Sequence, residues 1–370
     1  MKKEHFHSLD SLRFFAFFKV FMLHVPAGLG LLPFLYVKAG GGIGVNFFFI
    51  LSGFLITYII TNHKIRGTYH VGKFLGRRFL RIMPLYLFVC VVMMLIPDAV
   101  RRDLGFYITG GYKMDWKYTL IFLENYRMLD LDTLPRLTPF SVFWSLCIEV
   151  HFYIIWAICL YWVPLRRMPL FFAFAILMGF LMSYLELIQF HPNKNVDYSD
   201  ILSYLDMFGI ASLLGYYTSM ESPWLMKFYQ NGKSEVRWLF VSLAVLLVAF
   251  QYQILPVNTA WWVVVRGPVL SVIFVLCIAS FIGQTQFSIK SKFLAYLGKI
   301  SYGMYVFHLI FIHMGYQYYA NNVSTEWKDS WIGIWMLAMA SLFSTIIVSA
   351  ISYELIEKPV IKLKDVLFGK

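Results

Sequence analysis

Long runs of apolar residues, separated by short polar or charged connections, recur along the whole chain. A helix of about twenty apolar residues is long enough to cross a lipid bilayer. The pattern predicts ten such helices, at residues 11–33, 44–62, 82–97, 140–162, 168–190, 199–219, 237–255, 261–282, 300–320 and 331–356. We therefore predict an all-α polytopic membrane protein with one transmembrane domain over residues 1–370.

Composition and charge agree with this class of protein. Hydrophobic residues make up 59% of the chain and charged residues only 14%, which is outside the range of soluble proteins. The formal net charge of +12 would suit nucleic acid, but twenty of the 32 Lys and Arg residues fall in predicted inner connections and nine in outer ones. Positive residues mark cytoplasmic loops. We therefore predict that both termini are cytoplasmic, with membrane lipids and no nucleic acid as partners.

The cysteines and the longest connection add little chemistry. All four cysteines fall within apolar stretches without CxxC spacing, and no HExxH pattern occurs, so we expect buried free thiols and no metal site. The connection 98–139 is predicted to be external. Its middle, DWKYTLIFLENY, is apolar enough to enter the membrane interface but too short to span it.

The first apolar stretch, LDSLRFFAFFKVFMLHV, carries both Arg13 and His24. Such residues are costly in lipid and are functional candidates for that reason. Eleven residues of helix separate them by about 16 Å, so we expect Arg13 near the inner face and His24 past the midplane. A buried imidazole stays neutral, as a general base or nucleophile must. The alternatives are a packing histidine and an arginine that reaches the lipid headgroups.

Arg78 and Arg81 lie in GRRFLRIMPLY, at the end of the inner loop that follows the second predicted helix. Residues at i and i+3 share one helical face, and arginines so placed can grip phosphate through forked hydrogen bonds. Loop topology and binding of lipid headgroups would account for the same cluster.

Glu149 lies in the fourth predicted helix, within FWSLCIEVHFYIIW, at a predicted depth similar to that of His24. A carboxylate there can orient the imidazole and stabilise its charged form. It can equally be a structural partner of Lys19 or His151.

Two further stretches carry polar residues that are candidates for lining a cavity. The second helix begins GGGIGVNFFFILSGFLIT, whose glycines allow close helix packing or a tight entry turn. The stretch lacks the GK[ST] ending of a phosphate loop. The ninth carries SYGMYVFHLIFIH. The candidates for lining are Asn46, Ser52, Tyr302, Tyr305 and His308.

Together these segments resemble the bacterial membrane-bound acyltransferase-3 family over residues 8–360. The matching stretches, in the family's order, are LDSLRFFAFFKVFMLH, GVNFFFILSGFLIT, RRFLRIMPLY, FLENY, FWSLCIEVHFYIIW, LGKISYGMYVFHLIF and SYELIEKP. The resemblance implies a ten-helix acyltransferase domain. It places Arg13 and His24 on the family's Arg-x10-His pair, Arg78 and Arg81 on its RxxR pair, and Glu149 on its SLxxE glutamate.

The function implied by the resemblance is transfer of an acyl group, usually acetyl, to an extracytoplasmic acceptor. The donor is expected to be acetyl-CoA or another acyl-CoA, held by Arg13, Arg78 and Arg81. His24 would take the acyl group or remove a proton from the acceptor hydroxyl, with Glu149 as its partner. The acceptor would be a glycan or a lipid-linked sugar, at the bacterial inner (cytoplasmic) membrane.

The chain departs from the family's pattern in three places. Asn46 stands where the family more often has Asp, Phe307 where it often has Trp, and we expect no fused SGNH-type esterase domain. A transporter of a small anion or lipid-linked sugar, with Arg13, His24 and Glu149 as its site, remains an alternative. A scaffold for glycan assembly is a third.

Overall fold

The structure is a computed structural model. It describes residues 7–26, 40, 42–104, 115–130, 142–188, 200–255, 259, 261–283, 287–324, 327 and 330–368. Within these residues all regular elements are helices and no strand occurs. The α-helices are α1 (His7–His24), α2 (Gly42–Ile65), α3 (Val71–Leu95), α4 (Asp98–Asp103), α5 (Trp116–Leu120), α6 (Glu124–Asp130), α7 (Phe143–Trp162), α8 (Met168–Leu187), α9 (Leu205–Ser219), α10 (Pro223–Asn231), α11 (Ser234–Ile254), α12 (Trp262–Ser280), α13 (Lys292–Lys299), α14 (Ser301–Asn322), α15 (Trp331–Ser352) and α16 (Lys358–Phe368). The prediction of an all-α membrane protein is confirmed.

Seven helices of the described chain are long and apolar enough to cross a membrane, or eight if α13 and α14, which meet at 70°, form one span. Two of the ten predicted spans fall outside this set. α1 carries Asp10, Arg13 and Lys19, and α9 is only 15 residues long. The count of ten and the orientation of the termini stay predictions.

Outward-facing side chains on the long helices are largely apolar, as a lipid environment requires. These exposed residues include Leu95, Trp162, Leu170, Leu177 and Phe343. The helices bury aromatic side chains such as Phe54 and Trp156 inside the bundle. The apolar runs of the sequence therefore cover both the lipid-facing surface and the core.

Two helix boundaries differ from the sequence prediction in ways that matter for the site. α3 begins at Val71 rather than near residue 82, so Arg78 and Arg81 lie inside a helix and not at the end of a loop. α1 ends at His24, and residues 27–33 of the predicted first span lie outside the described residues. His24 is therefore the last residue of its helix.

α2 and α9 cross at glycines, as the sequence predicted for α2. A Cβ placed on Gly53 would lie 2.9 Å from the Cβ of Ala211. One placed on Gly215 would lie 2.5 Å from the carbonyl oxygen of Phe54. Because contacts this short are repulsive, a side chain at either position would push the two helices apart. The prediction of close packing is confirmed for Gly53.

A buried arginine holds the ends of two helices. The guanidinium of Arg237, at the start of α11, donates hydrogen bonds to the carbonyl oxygens of Ser280 (2.5 Å), Ile282 (3.3 Å), Phe228 (2.8 Å) and Tyr229 (2.9 Å). Carbonyl groups at or beyond a helix end lack partners within the helix. Arg237 thus satisfies the end of α12 and the last turns of α10.

The FLENY segment packs against the bundle rather than lying free in the interface. Glu124 and Asn125 are fully buried. The Tyr86 hydroxyl of α3 donates to the Thr119 carbonyl oxygen at 3.0 Å. His151 of α7 donates from Nε2 to the Phe122 carbonyl oxygen at 2.8 Å. The segment is too short to span, as predicted, but helices cover its buried face.

All four cysteines are free thiols.

Candidate functional site

A polar cavity opens between α1, α2, α3, α7 and α14. Its empty volume is about 830 Å³, including space continuous with the outside. Its walls combine apolar side chains with three arginines and one carboxylate. The lining residues are Arg13, Val45, Phe48, Phe49, Leu51, Ser52, Leu55, Ile56, Arg78, Arg81, Ile82, Ser145, Leu146, Glu149, Tyr153, Ser301, Tyr302 and Tyr305.

Two helices bring the three arginines predicted from the sequence to this one cavity. Arg13 comes from α1, and Arg78 and Arg81 share a face of α3. The three guanidinium groups lie within electrostatic range of one another. Among the described residues that line the cavity, Glu149 supplies the one carboxylate. The lining side chains therefore carry more positive than negative charge, although the neighbouring carboxylates Asp10 and Glu357 offset part of it. Guanidinium groups placed in this way favour an anionic ligand with several charged oxygens.

Neighbouring side chains hold two of these arginines in place. Arg13 forms an ion pair with Asp10, one turn earlier in α1, at 2.5 Å. The Arg78 guanidinium lies over the ring of Tyr153, 5.8 Å from its centroid, and over that of Phe74 at 5.5 Å. Such cation–π contacts fix a guanidinium plane without consuming its hydrogen-bond donors. The donors of Arg78 thus stay available to a ligand.

Glu149 accepts hydrogen bonds from two hydroxyl groups in this cavity. Ser52 Oγ of α2 donates to Glu149 Oε1 at 2.9 Å. The hydroxyl of Tyr153, four residues further along α7, donates to the same oxygen. Glu149 also lies within electrostatic range of Arg13 and Arg78. Both hydroxyl groups therefore bond one carboxylate oxygen, Oε1, at the cavity.

The predicted pairing of Glu149 with His24 is not the arrangement found. The hydrogen bonds that Glu149 accepts come from Ser52 and Tyr153, and the ring that faces His24 belongs to His308. The predicted similarity of depth assumed that the first span continues to residue 33. α1 ends at His24, and residues 27–33 lie outside the described residues. Of the alternatives, His151 bonds the Phe122 carbonyl instead.

Polar side chains of α7 and α14 lead from the cavity to His24. We call Ser145, Tyr302, Tyr305 and His308 the polar column. Tyr302 lies within electrostatic range of Glu149 and Tyr153, and one turn further along α14 the Tyr305 hydroxyl bonds Ser145 Oγ at 2.6 Å. α7 and α14 therefore run in opposite directions here. Since His308 is three residues beyond Tyr305 and Glu149 four beyond Ser145, His308 and Glu149 are about 10 Å apart along the column.

His24 lies at the far end of this column. Its ring centroid is 5.3 Å from that of His308, with the planes inclined by 55°. Eleven residues separate His24 from Arg13, which is close to three full turns of helix. Both side chains therefore project from nearly the same side of α1, one at the cavity and one at the histidine pair.

The remaining candidates are placed as follows. Ser52, Tyr302 and Tyr305 line the cavity, and the Tyr302 hydroxyl donates to the Ile82 carbonyl oxygen at 2.8 Å. Asn46 is half-buried on α2 and is not among the lining residues. His308 is fully buried beyond the cavity lining, beside His24.

Sequence reasoning missed Ser145 and Tyr153. Both line the cavity, four residues before and four after Glu149. Residues spaced by four lie on one face of a helix, so this spacing was a signal that could have found them once Glu149 was chosen. Tyrosine and serine in an apolar helix attract less attention than a charge, because their hydroxyls are less costly to bury.

A second carboxylate was also missed. Glu357, in SYELIEKP, is buried on a π-helical turn (Tyr353–Glu357) after α15, and it lies within electrostatic range of Arg81. Single π-turns interrupt regular helices often at functional sites. Glu357 offsets part of the positive charge that Arg81 brings to the cavity.

Comparison with known proteins identifies relatives for nearly the whole chain. A family model described as an acyltransferase domain matches residues 6–354. Peptidoglycan O-acetyltransferase OatA of Listeria monocytogenes is 26% identical over 96% of this chain and 56% of its own length. The putative peptidoglycan O-acetyltransferase YrhL of Bacillus subtilis is 27% identical over 95% of this chain and 54% of its own.

A putative O-acetyltransferase of Staphylococcus aureus is 24% identical over 97% of this chain and 58% of its own length. The chain thus spans little more than half the length of the curated relatives it matches. No solved structure matches it.

Proposed function

The chain belongs to this family of acyltransferase domains, and we propose that it is a membrane O-acyltransferase. In this proposal it moves an acyl group, acetyl as the first candidate, from cytoplasmic acyl-CoA to a hydroxyl group outside the bacterial cytoplasmic membrane. The observation that carries the proposal is the polar column, which begins at three arginines and ends at His24. The arginines suit a donor that carries phosphate groups, and His24 suits an acceptor hydroxyl group that must lose a proton.

The arginine end suits the donor. Coenzyme A carries phosphate groups, and guanidinium groups bind phosphate through paired, charge-assisted hydrogen bonds. Arg13, Arg78 and Arg81 therefore hold the donor's phosphates in this proposal. Apolar side chains of α2, among them Phe48 and Leu55, also line the cavity and provide a surface for the less polar arm that ends in the thioester.

The histidine end suits the reaction. His24 removes the proton from the acceptor hydroxyl while the oxygen attacks the thioester carbonyl. A carbon–oxygen bond forms, the carbon–sulfur bond breaks, and the proton passes to the departing thiolate, giving an O-acyl ester and free CoA.

Glu149 has a supporting role at the donor end in this proposal. Its single negative charge opposes the mutual repulsion of the arginines, and its bonds to Ser52 and Tyr153 tie α2 to α7. The carboxylate thus sets the geometry of the cavity and the distance between the arginine side chains. It is a positioning residue here, not the partner of His24.

The proposed acceptor is a peptidoglycan-type glycan or its lipid-linked precursor. The support is that two of the relatives bear names that assign them peptidoglycan O-acetylation. Membership of an acyltransferase family does not favour the alternative of a transporter.

The first test measures release of CoA by purified protein in lipid nanodiscs. We expect free thiol to appear from acetyl-CoA only when a glycan acceptor is present. Replacement Arg81→Ala removes charge-assisted hydrogen bonds and is expected to raise the KM for acetyl-CoA about tenfold or more. The matched control is Lys73→Ala, which removes an exposed positive charge from the same helix outside the cavity and is expected to leave KM within about twofold.

Two results would contradict the proposal. One is the absence of acceptor-dependent CoA release with every glycan tried, together with dissipation of a solute gradient in liposomes, which would indicate a transporter. The other is an equal effect of the Arg81 and Lys73 replacements, which would remove the cavity from donor binding.

A further inference from the structure

A second histidine faces His24 from the neighbouring helix. His308 of α14 is fully buried, and its ring centroid lies 5.3 Å from that of His24. Phe17 of α1 packs against the pair: its ring lies edge-on to the His308 ring, with the two centroids 5.8 Å apart. Two imidazoles are thus held together among apolar groups at the end of the polar column.

One hydrogen bond determines which nitrogen of His308 carries the proton. His308 Nδ1 lies 2.7 Å from the carbonyl oxygen of Tyr305. A carbonyl oxygen only accepts, so Nδ1 must be the donor. In the neutral ring Nε2 then carries a lone pair and can only accept.

That acceptor has no hydrogen-bond partner in the described structure: Nε2 of His308 is buried and unpaired. A buried polar atom without a partner costs free energy and requires an explanation. The two rings form no hydrogen bond in this orientation, but their spacing would allow one after a rotation of the His24 ring. A hydrogen bond joins nitrogens about 3 Å apart, and roughly one ring radius at each end brings the centroids close to the observed separation.

Glu149 cannot fill this role at His24. Its carboxylate accepts from Ser52 and Tyr153 and lies about 10 Å from His308 along the column. Tyr305 instead connects the two ends, because its hydroxyl bonds Ser145 of the cavity wall and its carbonyl oxygen holds His308.

We propose that His308 is the positioning residue of His24. Its Nε2 accepts the N–H of His24 as the acceptor hydroxyl binds, which fixes the tautomer of His24 and leaves the other His24 nitrogen unprotonated toward that hydroxyl. The inference rests on the proposed acyl transfer. It assigns to a second imidazole the orienting part that a carboxylate plays in hydrolytic triads.

Two replacements at His308 separate this role from simple packing. The amide nitrogen of Asn can take the place of Nδ1, so His308→Asn keeps the hydrogen bond to the Tyr305 carbonyl but removes the acceptor that faces His24. The amide group of Gln reaches the place of Nε2, so His308→Gln restores an acceptor. The matched control, His313→Asn, alters a half-buried histidine of the same helix outside the pair.

The measurement is acceptor-dependent CoA release, with kcat and KM determined separately and the melting temperature recorded for each variant. We expect His308→Asn to lower kcat about tenfold or more while the KM for acetyl-CoA changes less than about twofold. We expect His308→Gln to recover part of that loss and His313→Asn to resemble wild type.

A structural role predicts the reverse order, with Asn active and Gln impaired, and that result would overturn the inference. So would wild-type kcat in both variants. If His308→Asn does not fold, a folded His308→Gln with no more than background transfer overturns it as well. Absence of transfer by wild type itself points instead to failure of the proposed function.

Discussion

Arg13, Glu149 and Arg237 show three ways in which this chain accommodates a charge among apolar helices. Arg13 pairs with Asp10, Glu149 accepts from two hydroxyl groups, and Arg237 donates to four backbone carbonyls. Each arrangement offsets the cost of removing a charge from water. Only the first two lie at the cavity, so a buried charge in this protein is not by itself a mark of the site.

Glu124 gives a prediction outside the membrane-spanning helices. Its carboxyl group is fully buried, with Oε2 bonded to Thr119 Oγ1 at 2.9 Å and Oε1 unpaired. Burial raises the pKa of Glu124 to about 7, against the opposing charge of Arg127. The folded state therefore favours the protonated form. That stabilisation is fully present below the unfolded pKa, near 4.5, and is lost as pH rises through about 7.

We expect the melting temperature of wild type to fall between about pH 5 and about pH 8, and that of Glu124→Gln to fall much less, because an amide has no charge to desolvate. Thermal unfolding in detergent at a series of pH values measures this. Glu235→Gln, an exposed position at the start of α11, is the control and should keep the wild-type slope. Equal slopes for wild type and Glu124→Gln would exclude Glu124 as the cause.

At the level of residues, the sequence predicted which charged side chains line the cavity better than it predicted their partners. The cost of burying a charge singled out Arg13 and Glu149, and a shared helical face singled out Arg78 and Arg81. All four line one cavity. The structure gives Glu149 hydroxyl partners on its own helix and on a neighbouring one, and a pairing with His24 stays a prediction. Pairing depends on the rotation and crossing of helices, which a single sequence does not encode in an obvious way.

At the level of elements, the crossing of α2 and α9 gives a stability prediction. A methyl group at Gly215 would lie 2.5 Å from the Phe54 carbonyl oxygen, and backbone cannot yield as a side chain can. We expect Gly215→Ala to destabilise the protein by about 1–3 kcal/mol. Gly72→Ala is the matched control, because nothing lies within 4 Å of its Cβ position and alanine favours a helix.

Thermal or denaturant unfolding of the two variants tests this. A Gly215→Ala protein as stable as Gly72→Ala would mean that the helices do not approach as closely as described.

The apolar runs predicted most helices, including α2, α7 and α14 to within a few residues at their ends. The start of α3 was missed by eleven residues because its first turns carry Lys73, Arg77, Arg78 and Arg81, which resemble a loop. The structure shows that these residues are helical, and the side chains of Arg78 and Arg81 line the cavity rather than facing lipid. The predicted first span continues past His24, where α1 ends, because the sequence there stays apolar.

At the level of the whole molecule, the arginine-lined cavity and the histidine pair lie at two ends of one column. Arg13 and His24 share a side of α1, and Tyr305 joins the cavity wall to the His308 ring. The central claim is that acyl groups enter at the arginine end, on the cytoplasmic side, and leave at the His24 end for an acceptor outside. This claim makes sidedness the property to measure.

Sealed inside-out vesicles containing the protein test it most directly, with labelled acetyl-CoA outside and a glycan acceptor trapped in the lumen. We predict that wild type labels the trapped acceptor, and that His24→Ala inserts normally into the membrane but gives no label above background. Labelling by His24→Ala at the wild-type rate, or labelling only when acceptor and acetyl-CoA are on the same side, would contradict the account.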